Sequence, residues 1–115
     1  MNNGAGPIVT VFRSRLRSEA QLAYAEEAQQ MEERARATEG LLEFKTFVGE
    51  DGERVSIIVF DTWENHRAWR VDRVHRLAQR HGREQFYAEY SIRVCEQMAH
   101  RVFPATAEAD RAPTA

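Results

Sequence analysis

Residues Trp63 to Gly82 read WENHRAWRVDRVHRLAQRHG and concentrate the side chains most able to do chemistry. His66 and His75 are candidate general bases, because imidazole is the side chain whose ordinary titration lies near neutral pH. His66, His75 and His81 stand nine and six residues apart. A helical zinc pair wants i,i+4 spacing with a carboxylate or cysteine nearby, so a metal cluster is not expected. One histidine as a single axial haem ligand is allowed on spacing alone. Trp63 and Trp69 are either core residues or the aromatic wall of a pocket between a helix and a sheet. Six arginines, Arg67, Arg70, Arg73, Arg76, Arg80 and Arg83, step by three or four residues and share one broad helical face. A phosphate-binding stripe would look like this, and so would the solvated side of an amphipathic helix. No aromatic residue suited to base stacking interleaves with the stripe, and the net charge is −2, so the solvated face is the preferred reading and no nucleic-acid partner is expected. No Ser-His-Asp order, glycine-rich phosphate loop or paired-carboxylate motif is present.

The elements that must position these residues form a single domain in a chain of 115 residues that is 43% hydrophobic. Residues 1–6 and 104–115 lack large apolar side chains apart from Met1 and are expected to be disordered, leaving a folded unit over residues 7–103. IVTVFRSRL, from Ile8, reads as a strand. Ser18 and Gln21 make a capping-box pattern for a helix to about Ala37, with Tyr24, Ala28, Met31 and Ala35 on one face. Leu42, Phe44, Thr46 and Val48 alternate, Asp51-Gly52 is a hairpin signal, and Val55 to Asp61 returns as a strand that is apolar on both parities. Asp61 and Glu64 suggest a cap for the second helix, and Asp72 suggests a second cap that breaks it near Val71. Phe86 and Tyr87 fall on a short turn, and Tyr90 to Met98 is the last strand.

The order β-α-β-β-α-β is the α+β, ferredoxin-like arrangement, an antiparallel sheet with helices on one face. Its other face needs cover that the chain does not supply, so a homodimer is expected. Cys95 is the only cysteine, no apolar run reaches the ~18 residues of a membrane span, and no signal peptide is visible; a cytoplasmic location without membrane contact follows as the expectation.

Two stretches, EGLLEFKTFVGEDGERVSIIVFDTWENHRAW and WRVDRVHRLAQRHGREQFYAEYSIRV, resemble the antibiotic biosynthesis monooxygenase family. The resemblance spans nearly all of residues 7–103 and lies in core pattern, which speaks to fold more than to activity. It implies a dimeric α/β barrel with a pocket between each protomer's sheet and helices. Members include cofactor-free oxygenases of anthrones and quinols, and haem-degrading enzymes. The anthrone oxygenases' tryptophan and following aromatic residue correspond to Trp63 and Trp69, while their asparagine corresponds to Val59. For the haem enzymes, Trp69 matches a tryptophan, the strand-one asparagine falls at Phe12 or Arg13, and the histidine falls at Ala78 or Gln79; His75 is about a turn early and His81 slightly late.

The resulting expectation is a small monooxygenase that needs no metal or flavin and oxidises an electron-rich aromatic molecule with O₂. Trp63, Trp69, Phe12, Val59 and Gln79 would contact the substrate, His75 or His66 would be the base, and Arg13 would stabilise an enolate. A haem-binding or haem-degrading protein and a non-enzymatic small-molecule-binding dimer are the alternatives.

Overall fold

The computed structural model describes residues 6–104, excepting the side chains of Arg73 and Val74. The expected disordered ends therefore lie outside the described residues, save Gly6 and Pro104, and so does the side chain of Arg73 in the arginine stripe.

The chain runs β1 (Ile8–Leu16), a 3-10 turn (Ser18–Ala20), α1 (Gln21–Arg36), β2 (Leu41–Val48), β3 (Arg54–Phe60), α2 (Trp63–Arg70), α3 (Arg73–His81), a π-turn (Gly82–Phe86) and β4 (Tyr87–Glu96). The four strands form one sheet in the order β2-β3-β1-β4, with every neighbour antiparallel. This is the ferredoxin-like order, with the second helix divided in two.

Strand periodicity sorts the side chains onto two faces. Ile8, Thr10 and Ser14 of β1 pair with or lie beside Phe60, Ile58 and Arg54 of β3, and this set faces the helices. Ile8, Thr10, Ser14, Ile58 and Phe60 are all buried. Val9 and Val11 of β1 share the opposite face with Val55, Ile57 and Val59 of β3. The expectation of a strand apolar on both faces is thus met, and the helices of this chain cover only one of them.

The core is small. Ala35, Ile58, Phe60 and Trp69 form its buried cluster, with Leu41 and Phe44 packed alongside. Two strand irregularities determine what enters it. Between Leu41 and Glu43 the register of β2 against β3 shifts, leaving Leu42 without a partner position. Leu41 turns inward and Leu42 is 61% exposed, the reverse of the alternation expected from the sequence. A second shift between Arg15 and Leu16 places Leu16 opposite Tyr87 and Arg15 opposite Glu89, so Ala88 is the extra residue.

Helix starts also differ from expectation. Ser18 lies inside the 3-10 turn, and neither Arg17 nor Ala20 makes a side-chain cap hydrogen bond, so no capping box forms there. At α2 the cap is Thr62, whose Oγ1 accepts from the Asn65 N–H at 3.1 Å. Asp61, one residue earlier, instead accepts from Asn65 Nδ2 at 2.9 Å. The expected break does occur: α2 ends at Arg70, and Asp72 Oδ1 accepts from the His75 N–H at 3.1 Å to start α3. The last strand begins at Tyr87, three residues before the expected position, because the π-turn delivers the chain directly onto β1. Arg17 holds that turn, its backbone N–H donating to Phe86 O at 2.8 Å and its guanidinium to the carbonyls of Tyr87 and Glu84.

Two nearby substitutions separate the observed caps from the expected ones. Thr62→Ala lowers stability by about 1 kcal/mol, the usual cost of an N-cap, while Ser18→Ala stays within about 0.5 kcal/mol of wild type. Urea unfolding of both variants checks this; equal losses would contradict the assigned caps.

Candidate functional site

A cavity of about 410 Å³ lies between the inner face of the sheet and the helices, within the ~300–1,000 Å³ usual for small-molecule sites. It exists because the covering layer is thin. The residues that α1 turns toward it include Ala25 and Ala28, which have too little volume to fill the space above the sheet.

The sheet contributes Thr10 and Phe12 from β1, Phe44 and Thr46 from β2, Arg54, Ser56 and Ile58 from β3, and Tyr90, Ile92 and Val94 from β4. Tyr24, Phe86 and Tyr87 close one end with linked rings. Tyr24 meets Phe86 and Tyr87 at centroid distances of 5.6 Å each, and Phe12 meets Tyr87 at 5.5 Å and Tyr90 at 5.9 Å. Tyr87 and Tyr90 are three apart, and only the extra residue Ala88 lets both face the cavity. The Tyr87 hydroxyl donates to Tyr24 Oη at 3.4 Å. Burial, helped by Tyr24, pushes the Tyr87 phenol well above its ordinary value, so it stays neutral. Gly82 is required at this end, since a Cβ there would lie 2.5 Å from Tyr87 Cε2.

The opposite wall holds the histidines. Trp69 is 8% exposed and packs on Phe60 at 5.3 Å. The break after Arg70 redirects the chain so that His75 lies against Trp69 with ring centroids 4.2 Å apart. Desolvation pushes His75 down to about 4, with Asp72 opposing the shift and His66 adding to it. His75 is therefore a neutral imidazole at neutral pH. His66 is 1% exposed among Phe60, Trp63 and Trp69. Its Nε2 lies 3.4 Å from Thr10 Oγ1, and its Nδ1 is buried without a hydrogen-bond partner among the described residues. Burial, then the charge of Arg70, lowers its pKa too.

Of the residues singled out in the sequence, the cavity brings together His66, His75, Trp69, Phe12 and Gln79, along with Ala78. Three others lie elsewhere. Arg13 is one residue out of phase with the inner face; its guanidinium makes a two-pronged pair with Glu53, both contacts 2.9 Å. Val59 faces away from the helices beside Val9. Trp63, at the first turn of α2, covers a separate small hollow with Ile8, Val94 and Cys95. His81 is also outside the cavity, tying α3 to α1 through Glu27 at 3.0 Å. The described arginines of the stripe are exposed, with Arg70 over the Trp63 ring and Arg80 beside Glu84. Sequence reasoning missed Tyr87, Tyr90 and Arg54. Arg54 carried a usable signal, since it shares the parity of Ser56, Ile58 and Phe60. Among the described residues, no cluster of three or more His, Cys, Asp or Glu side chains is arranged to hold a metal ion, and no helix is long and apolar enough to cross a membrane.

No protein-family model matches the chain. The uncharacterised protein YqjZ of Bacillus subtilis is 28% identical over 97 residues, covering 84% of this chain and 85% of that protein. The solved structure of Rv0793 from Mycobacterium tuberculosis superposes with a TM-score of 0.75 at 16% identity, covering 84% of this chain and 99% of that one. A Nitrosomonas europaea protein assigned provisionally as an antibiotic biosynthesis monooxygenase gives 0.71 at 12% identity, covering 92% and 99%. The chain has the fold of the antibiotic biosynthesis monooxygenases, as its sequence pattern implied.

The buried histidine has a consequence for stability. Between its ordinary value of 6.5 and its folded value of about 4, the unfolded chain binds a proton that the folded chain refuses. The stability that neutral His75 allows is complete above about pH 6.5 and is lost as the pH falls toward 4, by roughly 2 to 3 kcal/mol. His75→Gln, uncharged throughout, shows a flatter loss between pH 7 and 4.5 in urea unfolding. Parallel curves for the two proteins would mean that His75 is not desolvated.

Proposed function

We propose that this protein is a monooxygenase of the antibiotic biosynthesis type, oxidising an electron-rich aromatic small molecule such as a hydroxyanthrone or quinol with O₂ and no bound metal or flavin. The observation that carries this reading is His75: a neutral, desolvated imidazole in the wall of an aromatic cavity, in contact with Trp69. A neutral imidazole can accept a proton, and a dry pocket strengthens its interaction with the anion that results.

The substrate packs against the Phe12, Tyr87 and Tyr90 rings, which offer offset and edge contacts to an aromatic molecule, and reaches the rim of Trp69 beside His75. His75 takes a proton from an activated CH₂ or hydroxyl group. The resulting carbanion or phenolate passes one electron to O₂, and the radical pair combines into a peroxide anion at carbon. Protonation gives the hydroperoxide, and loss of water from a CH–OOH carbon leaves a carbonyl. The sum is CH₂ + O₂ → C=O + H₂O, so the substrate supplies all the electrons. His66, buried beside Thr10, is the alternative base.

The active form is a homodimer. Val9, Val11, Val55 and Ile57, all partly exposed, make an apolar stripe on the sheet face that the helices leave open, and Phe47, 49% exposed, extends it. A second copy packing there sheet to sheet supplies the missing layer. Light scattering at micromolar concentration gives twice the mass of one chain; a stable monomer would rule this assembly out.

Oxygen uptake with a hydroxyanthrone tests the activity. His75→Ala lowers turnover by about 10² to 10⁴, the usual worth of general-base assistance, while circular dichroism still reports a folded chain. Full turnover in His75→Ala would move the base to His66 or to the substrate itself. Absence of uptake together with a Soret band on adding haemin would replace this reading with the haem-binding one, for which His75 is the available single imidazole.

A further inference from the structure

Of the arginines that line the cavity, Arg54, Arg70 and Arg83, it is Arg54 that has a guanidinium nitrogen buried without a partner among the described residues. Arg54 opens β3 between Ser14 and Val48, and its parity sends it to the inner face. Its guanidinium lies over the Tyr24 ring at 5.4 Å, and its Nε is buried without a hydrogen-bond partner among the described residues. Two carboxylates, Glu27 and Glu32, also line the cavity, but both are engaged elsewhere: Glu27 with His81 at 3.0 Å and Glu32 with Arg36 at 2.7 Å. No ion pair to Arg54 occurs among the described residues. A desolvated guanidinium edge without an acceptor is costly, and such groups persist where a ligand completes them.

We propose that Arg54 is a specificity-determining residue and that the ligand is an aromatic carboxylate, its ring against the aromatic walls and its carboxylate on the guanidinium. This rests on the aromatic substrate proposed above and narrows it to molecules with a permanent anionic group beside the ring system. A carboxylate matches the terminal N–H donors of the Arg54 guanidinium, and a small turn of the side chain brings the buried Nε–H into the same two-pronged contact. The Tyr24 ring, with its centroid 5.4 Å from the guanidinium carbon, gives Arg54 a cation–π contact. Tyr87, at the same end, stays a neutral phenol and so puts no phenolate beside Arg54. Arg70 and Arg83 also reach the cavity, but both are exposed, and water already satisfies much of their charge.

The test is calorimetric titration of the full-length protein at pH 7 with 2-naphthoate and with its uncharged counterpart 2-naphthamide. The wild type binds naphthoate about ten- to a hundredfold more tightly, the range expected for hydrogen bonds between charged partners. Arg54→Gln brings the two affinities together, and Arg54→Lys keeps part of the preference, because a point charge lacks the fork. Equal binding of the two compounds by the wild type would overturn the role of Arg54 while leaving an aromatic site intact, and that comparison does not depend on any variant folding. An undiminished preference in Arg54→Gln would also overturn it and assign the anion to Arg70 or Arg83. If neither compound binds, the aromatic-substrate reading itself fails, and this inference with it.

Discussion

The series of tilted ring contacts Phe60, Trp69, His75 holds the site together. Phe60 is fully buried in β3, one of the two inner strands, and Trp69 lies on it at 5.3 Å. That contact docks α2 on the sheet, and His75 is then carried against the other part of Trp69 at 4.2 Å. The geometry requires the helix to stop between them. A continuous helix would set residues 69 and 75 about 120° apart around its axis and about 9 Å apart along it, and their rings would not lie at the observed separation. Val71 as the C-cap of α2 and Asp72, capping α3 from the residue before it, remove that conflict.

The remaining architecture follows from how little lies above the sheet. Ala25 and Ala28 on α1 leave room that larger side chains would fill, and the rings of Tyr24, Phe86, Tyr87 and Trp69 border that space without occupying it. A chain of this length buries about two thirds of its unfolded surface, so a cavity of this size takes a considerable share of its core. Polar groups add to the cost. His66 Nδ1 and Arg54 Nε are both buried without partners among the described residues, whereas the hydroxyls of Thr46 and Ser56 satisfy each other at 2.7 Å. A sequence selected for stability alone would place apolar side chains at these positions. Their presence in one cavity, with a neutral histidine and an aromatic lining, is what supports the proposed site.

The site is electrostatically divided. The Trp69 end carries two imidazoles whose charged forms are both disfavoured by burial. The Tyr24 end carries a guanidinium and a phenol held in its protonated form. A ligand spanning the cavity meets proton acceptors at one end and a fixed positive charge at the other. Under the proposed function, that polarity would orient an asymmetric molecule before reaction, the part of catalysis a rigid scaffold supplies most directly.

Local composition decides those features that depend on residues close in sequence. The Asp51-Gly52 turn, the break at Asp72, the two-faced character of β3 and the α+β order were all legible, because turn chemistry, capping and strand parity act over a few residues. Trp69, His66 and His75 were legible as residue types in one segment, though not as a constellation. What escaped that reading depends on register between strands far apart in the chain. Pairing of β4 with β1 makes Ala88 the extra residue and puts Tyr87 and Tyr90 on the same side; pairing of β2 with β3 exchanges the roles of Leu41 and Leu42. Parity then separates Arg13 from Arg54: two arginines that neighbour each other across β1 and β3 face opposite sides of the sheet. Side chains alternate with every residue along a strand, so a shift of one residue moves a charge from one face to the other, and only the assembled sheet fixes where that shift falls.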